Sequence, residues 1–200
     1  MWMEIKQPPE YTSMHAERPR PRGAIKYIIV HYAGVPGLTA ENLCSRFIRT
    51  KEKKSTHYTV DEREVWQVCD TAYAAWHAGI RSGQTYRHPE ARNANAIGVD
   101  LCERKVDMSR RTDVTDPDWY IPPETLDRGA RLIAELCIEY GLTSDRVLRH
   151  YDVTGKICPA PLCGRVISSV TRRERNDDWS RFLRTIERKM RLLRGRDDDD

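Results

Sequence analysis

Two hundred residues with 39% hydrophobic and 32% charged side chains suit one well-buried folded domain rather than a disordered chain. The net charge of +4 comes from interspersed Arg and Lys. That is compatible with an anionic polymer as partner but demands none, and no nucleic-acid partner is expected. No apolar run is long enough to span a bilayer.

Residues 1–22 form an irregular lead-in, broken by Pro8, Pro9, Pro19 and Pro21. Without an apolar stretch of the secretory type, this segment predicts a chain made and held in the cytoplasm. Ala24–Tyr32 (AIKYIIVHY) is short, apolar and β-branched, a buried strand that ends beside His31. Leu43 and Phe47 then fit a short helix capped by Thr39. Thr56–Val60 and Glu64–Val68 flank the polar turn Asp61-Glu62-Arg63 and predict a hairpin.

Ala74–His77 is expected as a further short strand, and Gly79–Asn95 as a surface loop. Ala96–Cys102 (AIGVDLC) predicts a core strand and Lys105–Pro122 another loop. Glu124–Tyr140 has apolar residues at helical spacing and a stop at Gly141. Val147–Arg149 predicts a short strand, and residues 151–165 a loop punctuated by Gly155, Pro159, Pro161 and Gly164. Over Asp178–Arg194, Trp179, Phe182, Ile186 and Met190 share one stripe, predicting an amphipathic helix packed on the body, with a solvated acidic tail at 197–200. Interleaved strands and helices without an internal repeat give an α/β class, a single domain with a central mixed sheet flanked by helices.

Six cysteines occur without the dense spacing of a disulfide scaffold, so free, buried thiols are expected for most of them. Cys158 differs because His150, Lys156 and Cys158 crowd into one stretch, HYDVTGKICP. Asp100 interrupts an apolar strand. An unpaired buried carboxylate is costly, so Asp100 must be paired or face a polar site. Strand alternation puts Gly98, Asp100 and Cys102 on one face and Val99 and Leu101 on the core face. Two imidazoles and a thiolate would fill three positions around a catalytic zinc and leave the fourth for water. Spacing alone leaves that open beside ordinary buried histidines.

Five stretches occur in order: YIIVHYAG, STHYTVDEREVWQ, AWHAG, NANAIGVDLCE and HYDVTGKICP. Together they resemble the type 2 N-acetylmuramoyl-L-alanine amidases, over about Gly23 to Asp178, with the strongest likeness to phage and prophage enzymes. The resemblance implies a peptidoglycan-recognition-protein-like fold over 23–177, followed by the helix at 178–196. It implies Zn2+ held by His31, His150 and Cys158. Lys156 matches a lysine that stabilises the oxyanion, and Asp100 stands where the phage enzymes place a glutamate base. Trp76 and His77 match a segment lining the substrate groove, with Asn93 beside it. Thr56 stands where some members carry a catalytic tyrosine.

The implied activity is hydrolysis of the amide between N-acetylmuramic acid and L-alanine in peptidoglycan, as in an endolysin released through a holin. The alternatives are a non-catalytic peptidoglycan-binding module or a cytoplasmic muropeptide-recycling amidase. Peptidoglycan or muropeptides are the expected partners, and a monomer is the expected state. Glu103 is the fallback base, although alternation points it to the opposite face. His57 is expected to pack rather than ligate.

Overall fold

The computed structural model describes residues 2–16, 18–109 and 113–197. A five-stranded sheet runs in the order β3-β2-β4-β1-β7, with β1 at Tyr27–Tyr32, β2 at Tyr58–Val60, β3 at Val65–Gln67, β4 at Ala96–Leu101 and β7 at Val147–Arg149. β2, β4, β1 and β7 are parallel, and β3 returns antiparallel to β2. Alternation in the two central strands decides what each face carries. Ile28, Val30, Ile97, Val99 and Leu101 enter the main core. Tyr27, Ile29 and Ala96 enter a smaller apolar cluster, with Ala78, Ala91 and Val153 from the connecting segments.

The main core is closed by two helices, α2 (Pro123–Tyr140) and α4 (Arg175–Asp197). Pro123 at the first helical position and Gly141 in the left-handed region bound α2. Trp179, Phe182, Ile186 and Met190 of α4 are buried in that core. The C-terminal helix therefore packs on the body, starting three residues before the expected Asp178. Arg175, fully buried at its N-terminus, donates to the carbonyls of Val114 at 2.7 Å and of Asp116. Beyond Asp197, the rest of the expected acidic tail lies outside the described residues.

The opposite face carries α1 (Ala40–Arg49), whose cap is Thr39 accepting from the Asn42 amide at 3.1 Å. Ala40, Leu43, Cys44 and Phe47 bury there against Val68 and Cys102. All six cysteines are free and buried. No described helix is long and apolar enough to cross a membrane.

Three expectations need correction. Ala74–His77 is not a strand; only Ala75 bridges, to His15. The expected loop at Lys105–Pro122 hides a two-residue hairpin, β5 (Arg104–Lys105) with β6 (Trp119–Tyr120), too short to show periodicity. The stretch after β7 begins with a helical turn, α3 (His150–Thr154), rather than a loop. The described residues of the lead-in are irregular, yet pinned. Lys6 exchanges backbone hydrogen bonds with Val65 and Gln67, and the amides of Thr12, Ala16 and Arg20 reach the carbonyls of Val68, Ala74 and Ala72.

Candidate active site and metal centre

Three parallel strands deliver the site at their carboxyl ends. His31 pairs in register with Asp100 on β4, and Val30 pairs with Arg149 on β7. His150, the next residue, therefore arrives beside His31. Ligand sites in open parallel sheets form at these carboxyl ends. The turn after α3 returns Cys158 to the same place, its carbonyl accepting from the Tyr151 amide at 3.0 Å. Gly155 ends α3 at φ +84°, and a Cβ there would come within 2.5 Å of Nε of Arg87. Arg149 braces the turn, its guanidinium bonding to Asp152, the Leu162 carbonyl and Asn176.

One potential ligand atom from each of His31, His150 and Cys158 falls within 4.8 Å of the other two, and all three residues are buried. Cys158 Sγ is 3.7 Å from His31 Nδ1. Among the described residues neither ring nitrogen of His150 finds a hydrogen-bond partner although both are buried, which is costly unless something else engages them. Burial holds the His31 imidazole well below its usual range, reinforced by His150 and His77. Burial likewise lowers His150 to about 4. Both rings are thus neutral at pH 7 and free to donate lone pairs. Burial pushes the Cys158 thiol up, with the Lys156 charge opposing it, so a cation must displace the thiol proton. Two imidazoles, of which that of His150 is orphaned, and one sulfur fit a zinc ion.

Around this group opens a cleft of about 1000 Å³, lined also by Trp76, His77, Asn93, Asp100 and Lys156. Every candidate site residue therefore reaches one cavity. Asp100 is 5% exposed, and burial raises its carboxyl to about 7. Thr56 and the Lys156 charge pull the other way, although the Thr56 hydroxyl beside it falls short of a well-formed hydrogen bond. Lys156 is exposed at the rim. Asn93 acts through the backbone, its Oδ1 accepting from the amides of His77 at 3.2 Å and Ala78 at 2.7 Å.

The remaining cleft cations are Arg46, Lys53, Lys54, Arg81 and Arg87, with Glu52 as the other acid beside Asp100. Lys53 lies 5.4 Å from the Trp76 ring centroid. Nothing local in the sequence marks these cations, because a polar loop lysine or arginine is ordinarily solvated. Nor is Arg20, inside the lead-in, marked by its neighbours in sequence. It bonds to the carbonyls of Thr71, Asn93 and Ala96 and approaches His57. Its side chain thereby ties the lead-in to the back of the site.

Residues 21–161 match the family described as N-acetylmuramoyl-L-alanine amidase. The chain belongs to the N-acetylmuramoyl-L-alanine amidase family. It is 37% identical over 144 residues to a probable N-acetylmuramoyl-L-alanine amidase of Bacillus licheniformis, a match covering 69% of this chain and 37% of that relative. This family member thus spans little more than a third of that relative's length. Its fold is that of the PlyG catalytic domain (TM-score 0.66, 19% identity, covering 94% of this chain and 96% of that one). It is also that of the XlyA catalytic domain (TM-score 0.60, 22% identity, covering 92% and 99%).

Glu103 stands apart from this amidase-family cleft. It is fully buried, accepts from the Ala33 amide at 3.0 Å through Oε2, and among the described residues leaves Oε1 without a partner. Burial raises its carboxyl to about 8, against the pull of the Ala33 amide. The folded state therefore keeps Glu103 protonated to a higher pH than the unfolded chain does. Its contribution to stability is full below pH 4.5, the ordinary value, and is lost as the pH rises to about 8. Glu103→Gln is expected to flatten the fall of unfolding free energy across that window, by up to about 1.4 kcal/mol per pH unit. Urea melts of both chains at several pH values check this; equal slopes would show Glu103 ionised in the fold.

Proposed function

We propose that this chain is a zinc-dependent N-acetylmuramoyl-L-alanine amidase of endolysin type. It cuts the amide between the lactyl group of N-acetylmuramic acid and L-alanine in peptidoglycan. The observation that carries the reading is the convergence of His31, His150 and Cys158 at the cleft that also holds Asp100 and Lys156. Family membership and the amidase names of its relatives support it.

His31, His150 and Cys158 would hold the zinc, whose Lewis acidity polarises carbonyl groups and brings water to a pKa of about 7. Asp100 takes a proton from the attacking water and returns one to the nitrogen of the departing L-alanine. A carboxyl raised by burial toward neutrality suits both transfers. Lys156 places its positive charge at the cleft, where negative charge grows on the carbonyl oxygen. Such a donor is often worth about 3 kcal/mol. Trp76 offers a broad apolar face to the substrate, and the basic rim suits the carboxylates of a stem peptide. Cys158 and Lys156 standing together count against a wall-binding module that does not cut. The protein acts on intact wall after release from the cell, or on soluble muropeptides.

Metal removal provides the test. Exhaustive chelation is expected to abolish release of peptide from a soluble muramoyl-peptide, and one equivalent of zinc to restore it. A chelated chain, shown free of zinc by elemental analysis, that retains full activity would contradict the metal assignment.

A further inference from the structure

His77 was expected to line the substrate groove, yet its ring does something more specific. His31 has two ring nitrogens, and Nδ1 is the one that faces Cys158 Sγ, at 3.7 Å. The other, Nε2, lies 3.0 Å from Nδ1 of His77, with the two rings edge to face at 87°. We propose that His77 is the positioning residue of the metal centre, accepting the Nε2 proton of His31 and so presenting Nδ1 as the ligand atom. The inference rests on the metal reading of the site given above. A ligand histidine usually donates its second N–H to a carboxylate, carbonyl or water; here an imidazole nitrogen takes that part.

The surroundings of His77 are built to hold that geometry. Its backbone amide and that of Ala78 both donate to Asn93 Oδ1, so the ring enters the site from a fixed turn. Gly98 lies behind it, where a Cβ would come within 2.9 Å of His77 Cγ and 2.8 Å of Thr56 Oγ1. A side chain at Gly98 would therefore drive the ring from its place. His57 packs edge to face on His77, with ring centroids 5.7 Å apart. Its own tautomer is set by its contacts. Nδ1 accepts from the Gly98 amide at 2.9 Å, so Nε2 carries the proton and donates to the Tyr73 carbonyl at 3.0 Å. His57 is thus a rigid back wall rather than a ligand. Asn93 and Gly98, far apart in role on sequence grounds, serve one ring.

The zinc-loaded full chain, with 15N-labelled histidines, gives the direct test by long-range proton–nitrogen correlation. His31 is expected to bind metal through Nδ1 and to carry a hydrogen-bonded, slowly exchanging proton on Nε2. A His31 ligated through Nε2 would overturn the assignment. In chelator competition, His77→Ala is expected to weaken zinc binding by about 10–100-fold. His77→Asn, whose Oδ1 can stand where Nδ1 does, is expected to restore most of that loss. Unchanged zinc affinity in the alanine variant, or no advantage of Asn over Ala, would overturn it as well. If the parent chain binds no zinc at all, the metal reading falls first; if it binds zinc through the wrong His31 nitrogen, the positioning role alone falls.

Discussion

Replacing Cys158 with alanine is expected to remove zinc binding and amidase activity together while leaving a folded chain. Cys158 supplies the sulfur of a three-residue group that has no further Cys, His, Asp or Glu within reach of all its ligand atoms among the described residues. Two imidazoles would then be left to hold a metal, one short of the three protein ligands of a catalytic site with an open fourth position. The fold itself should tolerate the change. Cys158 is buried with a thiol pushed up by that burial, so the metal-free chain gains little from it beyond packing. The thermal midpoint separates the two effects. If the site holds zinc as proposed, a thousandfold excess over its dissociation constant would stabilise the parent by about 4 kcal/mol, and this zinc-dependent rise should vanish in the variant. A Cys158→Ala chain that still shows the rise would place the metal elsewhere.

The second large effect is expected at Asp100. Asp100→Asn should retain zinc at the parent's affinity and lose about 10²–10⁴-fold in turnover, the usual contribution of a positioned general base. The side chain lines the cleft and pairs in register with His31 across two adjacent parallel strands, so its place is set by the sheet rather than by a loop. Asparagine keeps the volume and removes the ability to take a proton. Burial raises the Asp100 carboxyl to about 7, so the fold does not favour its charged form, and the neutral amide should cost little stability. Glu103 cannot take over. It does not line the cleft, and its buried carboxyl, raised to about 8, accepts from the Ala33 amide through Oε2. Full turnover in Asp100→Asn, measured on the zinc-loaded protein, would remove Asp100 from the mechanism.

Much of this architecture was legible in the sequence because alternation and periodicity are local signals. The run AIGVDLC placed Asp100 opposite Val99 and Leu101, and the sheet honours that division: Val99 and Leu101 enter the core while Asp100 meets the cleft. Helix α2 and its Gly141 stop were readable for the same reason. What stayed hidden depends on distant partners. Nothing local to Gly98 announces that it must yield space to His77, and nothing near Arg20 announces bonds to Thr71, Asn93 and Ala96. The β5–β6 hairpin rests on two residue pairs held by Lys105 with Asp116 and Asp118, a contact that no periodic pattern encodes. The His31–Nδ1 orientation is likewise a property of packing, visible only once the rings are in place.

The amidase assignment turns on which peptidoglycan bond is broken. Purified peptidoglycan digested with the zinc-loaded chain, its soluble products resolved by mass, decides this directly. Free stem peptides with a new L-alanine amino terminus, and no new reducing sugar ends, are the products expected from the His31–His150–Cys158 centre with Asp100 and Lys156. New reducing ends, or cuts inside the stem peptide, would contradict it.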